Sequence, residues 1–320
     1  MLSIIQLLGG LVTLILGGEL LVRGATEIAL RMKISPLVVG LTVVAFGTSS
    51  PELFISLYSA VSGSPDLAIG NVVGSNICNL GLVLGMTAMI YPIEVHKDSM
   101  RIDWPVTMLS SLTLFVFAVL FGGINQFTGL VMVAALIIYL VFILRKANND
   151  KKALLAAEEE FSLDESDPTS LVAWVKDIAF IAFGIGALSF GSDWFVGGAK
   201  EIFINIGVDE RVIGIVVLAL GTSLPELVTS VMAAIKRNTD LAVGNLLGSN
   251  IFNVLSILGF TSMVTNINIS QAITFTDMPV MLGITFLVMV LMLKGKLLSR
   301  LDGFILLAAY LVYTYTLFPQ

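Results

Sequence analysis

The sequence predicts an all-α polytopic membrane protein, with ten transmembrane helices in two inverted five-helix repeats and both termini extracytoplasmic. Three observations carry that prediction. The 320 residues are 57% hydrophobic and only 12% charged, with a mean hydropathy of +0.97, whereas a soluble domain is usually about one quarter charged. Apolar segments recur at lengths able to cross about 30 Å of hydrocarbon. Residues 40–85 also align without a gap to residues 214–259 at a constant offset of 174, with 23 of 46 pairs identical.

The ten apolar segments fall at about 2–22, 36–62, 66–90, 103–123, 127–145, 176–197, 211–235, 240–265, 275–293 and 301–318. The first, "MLSIIQLLGGLVTLILGG", lacks a basic leading region and a small-residue cleavage site, so it reads as a membrane helix rather than a cleaved signal. Residues 1–146 form the first repeat and 173–320 the second. Between them, residues 147–172 are a cytoplasmic acidic linker, a solvated connector with a short helix at "KKALLAAEEEF". Orientation follows from Lys and Arg. Of the 17 basic residues, 15 lie on the side opposite the N-terminus, and only Lys200 and Arg211 lie on the N-terminal side. No basic residue lies deep in a span. With five helices per repeat, an odd number, the second copy must cross the membrane upside down relative to the first. That is a recurring plan of secondary transporters, whose substrate site lies near the midplane.

Several function classes are disfavoured. The net charge of -6 comes largely from the linker, and nothing reads as a nucleic-acid surface. One cysteine, Cys78, excludes a disulfide framework and any multi-cysteine metal site. The single histidine, His96, falls in a charged loop, so no buried histidine can activate a serine. The chain is not expected to be an enzyme.

The repeat preserves "GTSSPELFIS" from Gly47 and "GTSLPELVTS" from Gly221. Glu52 and Glu226 lie far from either end of their spans, where a carboxylate costs several kcal/mol unless compensated. No Lys or Arg is placed to compensate either. Two escapes remain: the carboxyl groups are protonated, or a cation from solution supplies the charge. Pro51 and Pro225 lack an N–H, which frees the carbonyls of Gly47 and Gly221. Thr48, Ser49, Thr222 and Ser223 add hydroxyls within one turn. Such oxygens are hard donors, suited to Ca²⁺ and Na⁺.

The third and eighth spans contribute "GNVVGSNICN" and "GNLLGSNIFN". Asn71, Ser75 and Asn79 stand four apart on one helical face, as do Asn245, Ser249 and Asn253. Gly70, Gly74, Gly244 and Gly248 have the spacing that lets membrane helices approach closely. Hydrogen bonding between helices is the plain role for these polar residues, but their occurrence in two copies beside the glutamate motifs favours a site. Asp66 and Asp240 read as helix N-caps. Glu19 and Asp193 fall near the predicted helix ends, and Cys78, replaced by Phe252 in the second copy, reads as packing.

At these residues the sequence resembles the cation/calcium exchanger superfamily, and within it the prokaryotic sodium/calcium exchanger branch. The proton/calcium branch typically carries a glutamate and histidine after the Gly-Asn pair, where this chain reads "GNVVGS" and "GNLLGS". The resemblance implies ion binding by the Ala45 carbonyl, Thr48, Ser49, Glu52, Ser75 and Asn79, with the Ala219 carbonyl, Thr222, Ser223, Glu226, Ser249 and Asn253 in the second repeat. It implies Ca²⁺ and Na⁺ as transported substrates, no resident cofactor, and a multi-pass location in a prokaryotic cytoplasmic membrane. The first and sixth helices would slide against the core to alternate access. Several relatives carry an aspartate at one of the positions held here by Asn79 and Asn253, so this site offers at most two negative charges. A Ca²⁺/H⁺ antiporter using the same glutamates is the alternative reading. A cation channel with an acidic filter is a third.

Overall fold

The computed structural model describes residues 2–63, 65–159, 171–205 and 219–317. Among these, helix dominates: α1 (Leu2–Met32), α2 (Pro36–Val39), α3 (Ala45–Thr48), α4 (Ser50–Val61), α5 (Pro65–Cys78), α6 (Leu84–Ile90), α7 (Trp104–Phe121), α8 (Gln126–Glu159), α9 (Leu171–Asn205), α10 (Ala219–Thr222), α11 (Leu224–Ile235), α12 (Thr239–Phe252), α13 (Gly259–Val264), α14 (Met278–Leu293) and α15 (Arg300–Leu317). Single π-helical turns join several of these into longer rods, at Gly40–Val44, Asn79–Val83, Ser99–Asp103, Asn253–Leu258 and Ile273–Asp277.

Seven of the resulting helices are long and apolar enough to cross a bilayer, and the bent pair Pro36–Thr48 and Ser50–Val61 makes an eighth. The apolar helix α11 is shorter, and most of the segment before it, residues 206–218, lies outside the described residues, Arg211 included. α15 is helical over its 18 residues. The all-α expectation needs one small amendment. Four two-residue strands pair as β1 (Ile93–Glu94) with β4 (Leu297–Leu298) and β2 (Gly123–Ile124) with β3 (Ile267–Asn268), both antiparallel.

Three helices outrun their predicted spans, because a hydropathy window stops at the first charges while the backbone ladder continues. α1 runs to Met32 rather than residue 22, carrying Arg23 and Arg31 within the helix rather than in a loop. Both cations are accommodated on α9: Arg31 bonds Asp177 at 2.9 Å, and Arg23 sits over the Phe180 ring. α9 likewise spans Leu171–Asn205. Glu19 and Asp193 therefore lie inside long helices rather than near their ends, and Glu19 pairs with Lys236 at 2.5 Å. The helix expected in the linker is instead a continuation of α8 to Glu159, and residues 160–170 lie outside the described residues.

α1 and α9 pack antiparallel along a seven-residue glycine period. A Cβ at Gly10 would meet backbone of Phe195 and Gly191, one at Gly17 the backbone of Leu188 and Gly184, and one at Gly24 the Asp177 carbonyl. Gly184, Gly191 and Gly198 face back onto α1 in the same way. Small residues at such a crossing let dispersion contacts and backbone approach hold two helices where lipid supplies no hydrophobic drive. A buried cluster of Leu14, Leu21, Ile28, Ile181 and Leu188 lines this crossing, and the larger core lies among α5 to α8 and α12 to α15, around Ile77, Leu80, Leu84, Leu114, Ile251, Leu258 and Met292.

The 174-residue offset persists well beyond the aligned motifs. Tyr139 donates to Asp103 at 3.0 Å and Tyr313 to Asp277 at 2.9 Å. The strands also recur at that offset, as do two π-helical turns, those opening at Asn79 and Asn253 and at Ser99 and Ile273.

Candidate ion-binding site

The α3–α4 and α10–α11 junctions break where the sequence places its prolines. Ser49 (φ -84°, ψ 4°) and Ser223 (φ -91°, ψ 4°) leave helical geometry, and Pro51 and Pro225 open the following helices. In the first copy the halves are bent by 44°. Glu52 and Glu226 therefore fall in the first turn of α4 and α11, where the helix dipole favours a negative charge by about 0.3–1 kcal/mol. That does not offset the several kcal/mol of burying a carboxylate at this depth. Both side chains are fully buried, at 0% exposure. Arg31, His96, Lys146 and Lys236 pair with other acids and not with these two.

The two repeats converge on this point. Ser49 donates to one Glu226 oxygen at 3.0 Å, and Ser249 reaches the same oxygen at 3.4 Å. Thr48 donates to Asn245 at 3.1 Å and lies 3.4 Å from Ser249. Ser75 lies 3.4 Å from Thr222. The Ala45 carbonyl already accepts from the Ser49 N–H at 3.0 Å and, more weakly, from Thr48 at 3.4 Å. Ala219 opens α10.

The remaining oxygens have no hydrogen-bond partner. Both oxygens of Glu52, the second oxygen of Glu226, the Ser223 hydroxyl and the whole side-chain amides of Asn79 and Asn253 are buried and unsatisfied. Native proteins keep such atoms paired unless a ligand or water completes them. No cluster of three or more His, Cys, Asp or Glu side chains forms a metal site among the described residues, so any cation here is held by two carboxylates and neutral oxygens. Those are donors of the Ca²⁺ and Na⁺ type.

Asn71 and Asn245, which share a face with these residues, take the plainer role. Asn71 donates to Ser56 and Asn245 to Ser230, both at 3.0 Å, clamping neighbouring helices. Gly244 and Gly248 do sit at a close crossing, against backbone of Leu37 and Leu41 respectively. A Cβ added at Gly70 or Gly74 would meet no described atom of another segment within 4 Å. The cap of α12 is Asn238, which accepts from Leu241 N–H at 3.3 Å, rather than Asp240 in the first turn; the Asp66 side chain lies outside the described residues. Cys78 is buried in the core, as expected of packing.

Two features escaped the sequence reading. Asn76 donates to the Asn250 carbonyl at 3.3 Å, across the 174-residue offset itself; both asparagines stand inside the quoted motifs, but only the fold brings them together. The carbonyls freed by proline are capped differently. Ser50 donates to Gly47 O at 2.8 Å. Leu224 cannot do the same in the second copy, and Ser192 of α9 donates to Gly221 O instead, at 2.5 Å.

Known proteins resemble this chain along its whole length. CaxA of Alkalimonas amylolytica is 35% identical over 322 residues, covering 99% of this chain and 98% of CaxA. The sodium/calcium exchanger MaX1 of Methanosarcina acetivorans is 29% identical over 340 residues, covering 98% of this chain and 97% of MaX1. A solved structure of the sodium-calcium exchanger NCX_Mj, soaked with 2.5 mM Na⁺ and 0.1 mM Ca²⁺, superposes with a TM-score of 0.83 at 31% identity, covering 100% of this chain and 99% of that one. The family described as sodium/calcium exchanger protein matches residues 2–145 and 176–318. With both halves matched, this multi-pass membrane chain belongs to the sodium/calcium exchanger family, a family of transporters and not of enzymes.

Proposed function

We propose that the protein is a secondary antiporter that exchanges Ca²⁺ for Na⁺ across the cytoplasmic membrane by alternating access at a midplane site. One observation carries this reading: two fully buried carboxylates from equivalent broken helices, without a basic partner among the described residues, stand among orphaned oxygen donors. Family membership and the similarity to the sodium/calcium exchangers MaX1 and NCX_Mj support it. Ca²⁺ would be held by Glu52 and Glu226. The Ala45 and Ala219 carbonyls with Thr48, Ser49, Ser75, Asn79, Thr222, Ser223, Ser249 and Asn253 would complete overlapping Na⁺ sites. Many flexible oxygen ligands favour Ca²⁺ over Mg²⁺, which demands a tight octahedron and sheds water reluctantly. Residues 1–146 and 173–320 are the two inverted halves, each of five spans. Residues 147–172 join them in the cytoplasm, and both termini are extracytoplasmic.

A second reading rests on Glu52, neither of whose oxygens accepts a hydrogen bond. A proton would relieve that carboxyl as well as a cation would, which is the behaviour of a Ca²⁺/H⁺ antiporter. Reconstituted vesicles separate the two. An outward Na⁺ gradient is expected to drive Ca²⁺ uptake, and uptake driven by a pH gradient alone would replace the first reading with the second.

A further inference from the structure

Three non-glycine residues among those described have a positive φ: Lys33 at 53°, Arg237 at 60° and Lys296 at 56°. In that region a Cβ crowds the following carbonyl, which is why helix ends of this shape ordinarily take glycine. All three residues are cations, and each follows the C-terminal end of an apolar helix, α1, α11 or α14. Their repeat equivalents are glycines. Gly63 matches Arg237 and Gly122 matches Lys296, both also left-handed, at 83° and 67°. Lys33 corresponds in sequence to Gly207, which lies outside the described residues. The equivalence extends to a hydrogen bond: the Lys296 carbonyl accepts from Val95 N–H at 2.8 Å, and the Gly122 carbonyl from Ile269 N–H at 2.9 Å. This turn is thus written with glycine at one end of the molecule and with a cation, three times, at the other.

The three cations gather around the segment 93–98. Lys296 bonds Val95, Arg237 lines a cavity with Glu94 and His96, and Lys33 lines another with Asp98. Arg237 and Lys296 are exposed and join none of the ion pairs among the described residues. For Arg237 and Lys296, a strained backbone kept for an exposed cation points to something that charge meets outside the chain, and Lys33 repeats the same turn beside them. Where apolar helices end, that surrounding is the headgroup layer of the bilayer, and its anionic lipids complement Lys and Arg. We propose that Lys33, Arg237 and Lys296 form a binding face for anionic phospholipid headgroups. The proposal is independent of which ions the protein transports.

The test is thermal melting of the purified full chain in phosphatidylcholine nanodiscs, with and without added phosphatidylglycerol. The unaltered protein is expected to gain several degrees from phosphatidylglycerol. K33G/R237G/K296G, which removes charge and strain together, should melt higher than the unaltered protein in phosphatidylcholine yet lose at least half of that gain. K33Q/R237Q/K296Q, which removes charge and keeps strain, should lose the gain without the higher starting point. Full retention of the gain in both variants overturns the proposal. So does loss in the glycine variant alone, since the backbone would then be responsible. Reproduction of the gain by inorganic phosphate at matched ionic strength also overturns it, because a free anion rather than a lipid surface would be the ligand.

Discussion

Ser192 donates its hydroxyl to the Gly221 carbonyl across 2.5 Å, tying α9 to the broken helix that presents Glu226. Its repeat equivalent is Gly18, which has no hydroxyl, and the first copy caps its freed carbonyl from within, through Ser50. The two halves thus solve the same proline defect by unlike means. Only the second attaches the break to a separate long helix. Ser192→Ala should cost about 1 kcal/mol of stability and accelerate amide exchange in residues 184–205. Ser50→Ala should cost a similar amount and leave α9 unaffected. Equal protection of α9 in both variants would show that Ser192 tethers nothing.

The two glutamates should respond unequally to neutralisation. Glu226 accepts two hydroxyl donors, whereas Glu52 accepts none. Glu52→Gln and Glu226→Gln are both expected to abolish Ca²⁺ transport with the fold intact. In chelator-treated protein Glu52→Gln should raise stability more, by about 1–3 kcal/mol. Melting curves in the chelator, beside ⁴⁵Ca uptake, read both effects. Normal exchange in either variant would mean that the site is misassigned.

Glycine on the α1–α9 seam is predicted to be intolerant of one methyl group. At Gly184 a Cβ would stand 2.7 Å from Leu21 N and 2.9 Å from Gly17 O, whereas at Gly186 it would meet nothing within 4 Å. Gly184→Ala should therefore force the helices apart and slow exchange at least tenfold. Gly186→Ala, on the same helix, should transport normally. Comparing initial uptake rates of the two at equal expression decides the matter.

The Tyr139–Asp103 and Tyr313–Asp277 bonds repeat at the 174-residue offset, and each joins spans of its own half. Tyr139→Phe and Tyr313→Phe should each lower stability by about 0.5–1.5 kcal/mol. Sharing no partner, they should add in the double variant. A double variant no worse than either single one would mean that the two pairs are coupled.

How much of this could be read from sequence depends on what kind of relation is asked for. The offset alone aligns Glu52 with Glu226 and Asn79 with Asn253, because identity at fixed spacing is written along the chain. It did not disclose that Ser192 would answer for Leu224. That contact joins two different helices, and an alignment of copies records only where they agree. Helix length was misjudged at α1 for a physical reason: hydropathy reports the environment a residue prefers, not whether the next backbone hydrogen bond forms. Arg23 and Arg31 remain helical because aromatic and acidic groups on α9 receive them. The seven-residue glycine period was plainly present, yet its meaning needed a partner surface carrying the same period.

The paired strands have a consequence for assembly. β1 joins β4 and β2 joins β3, so each pair takes one strand from either half. β1 and β2 flank α7, whose 18 residues extend about 27 Å, which puts the two clasps at opposite faces of the molecule. Halves buckled together above and below do not depend on a continuous peptide for their union. A chain severed within residues 160–170 and co-expressed as two fragments should reassemble and co-purify.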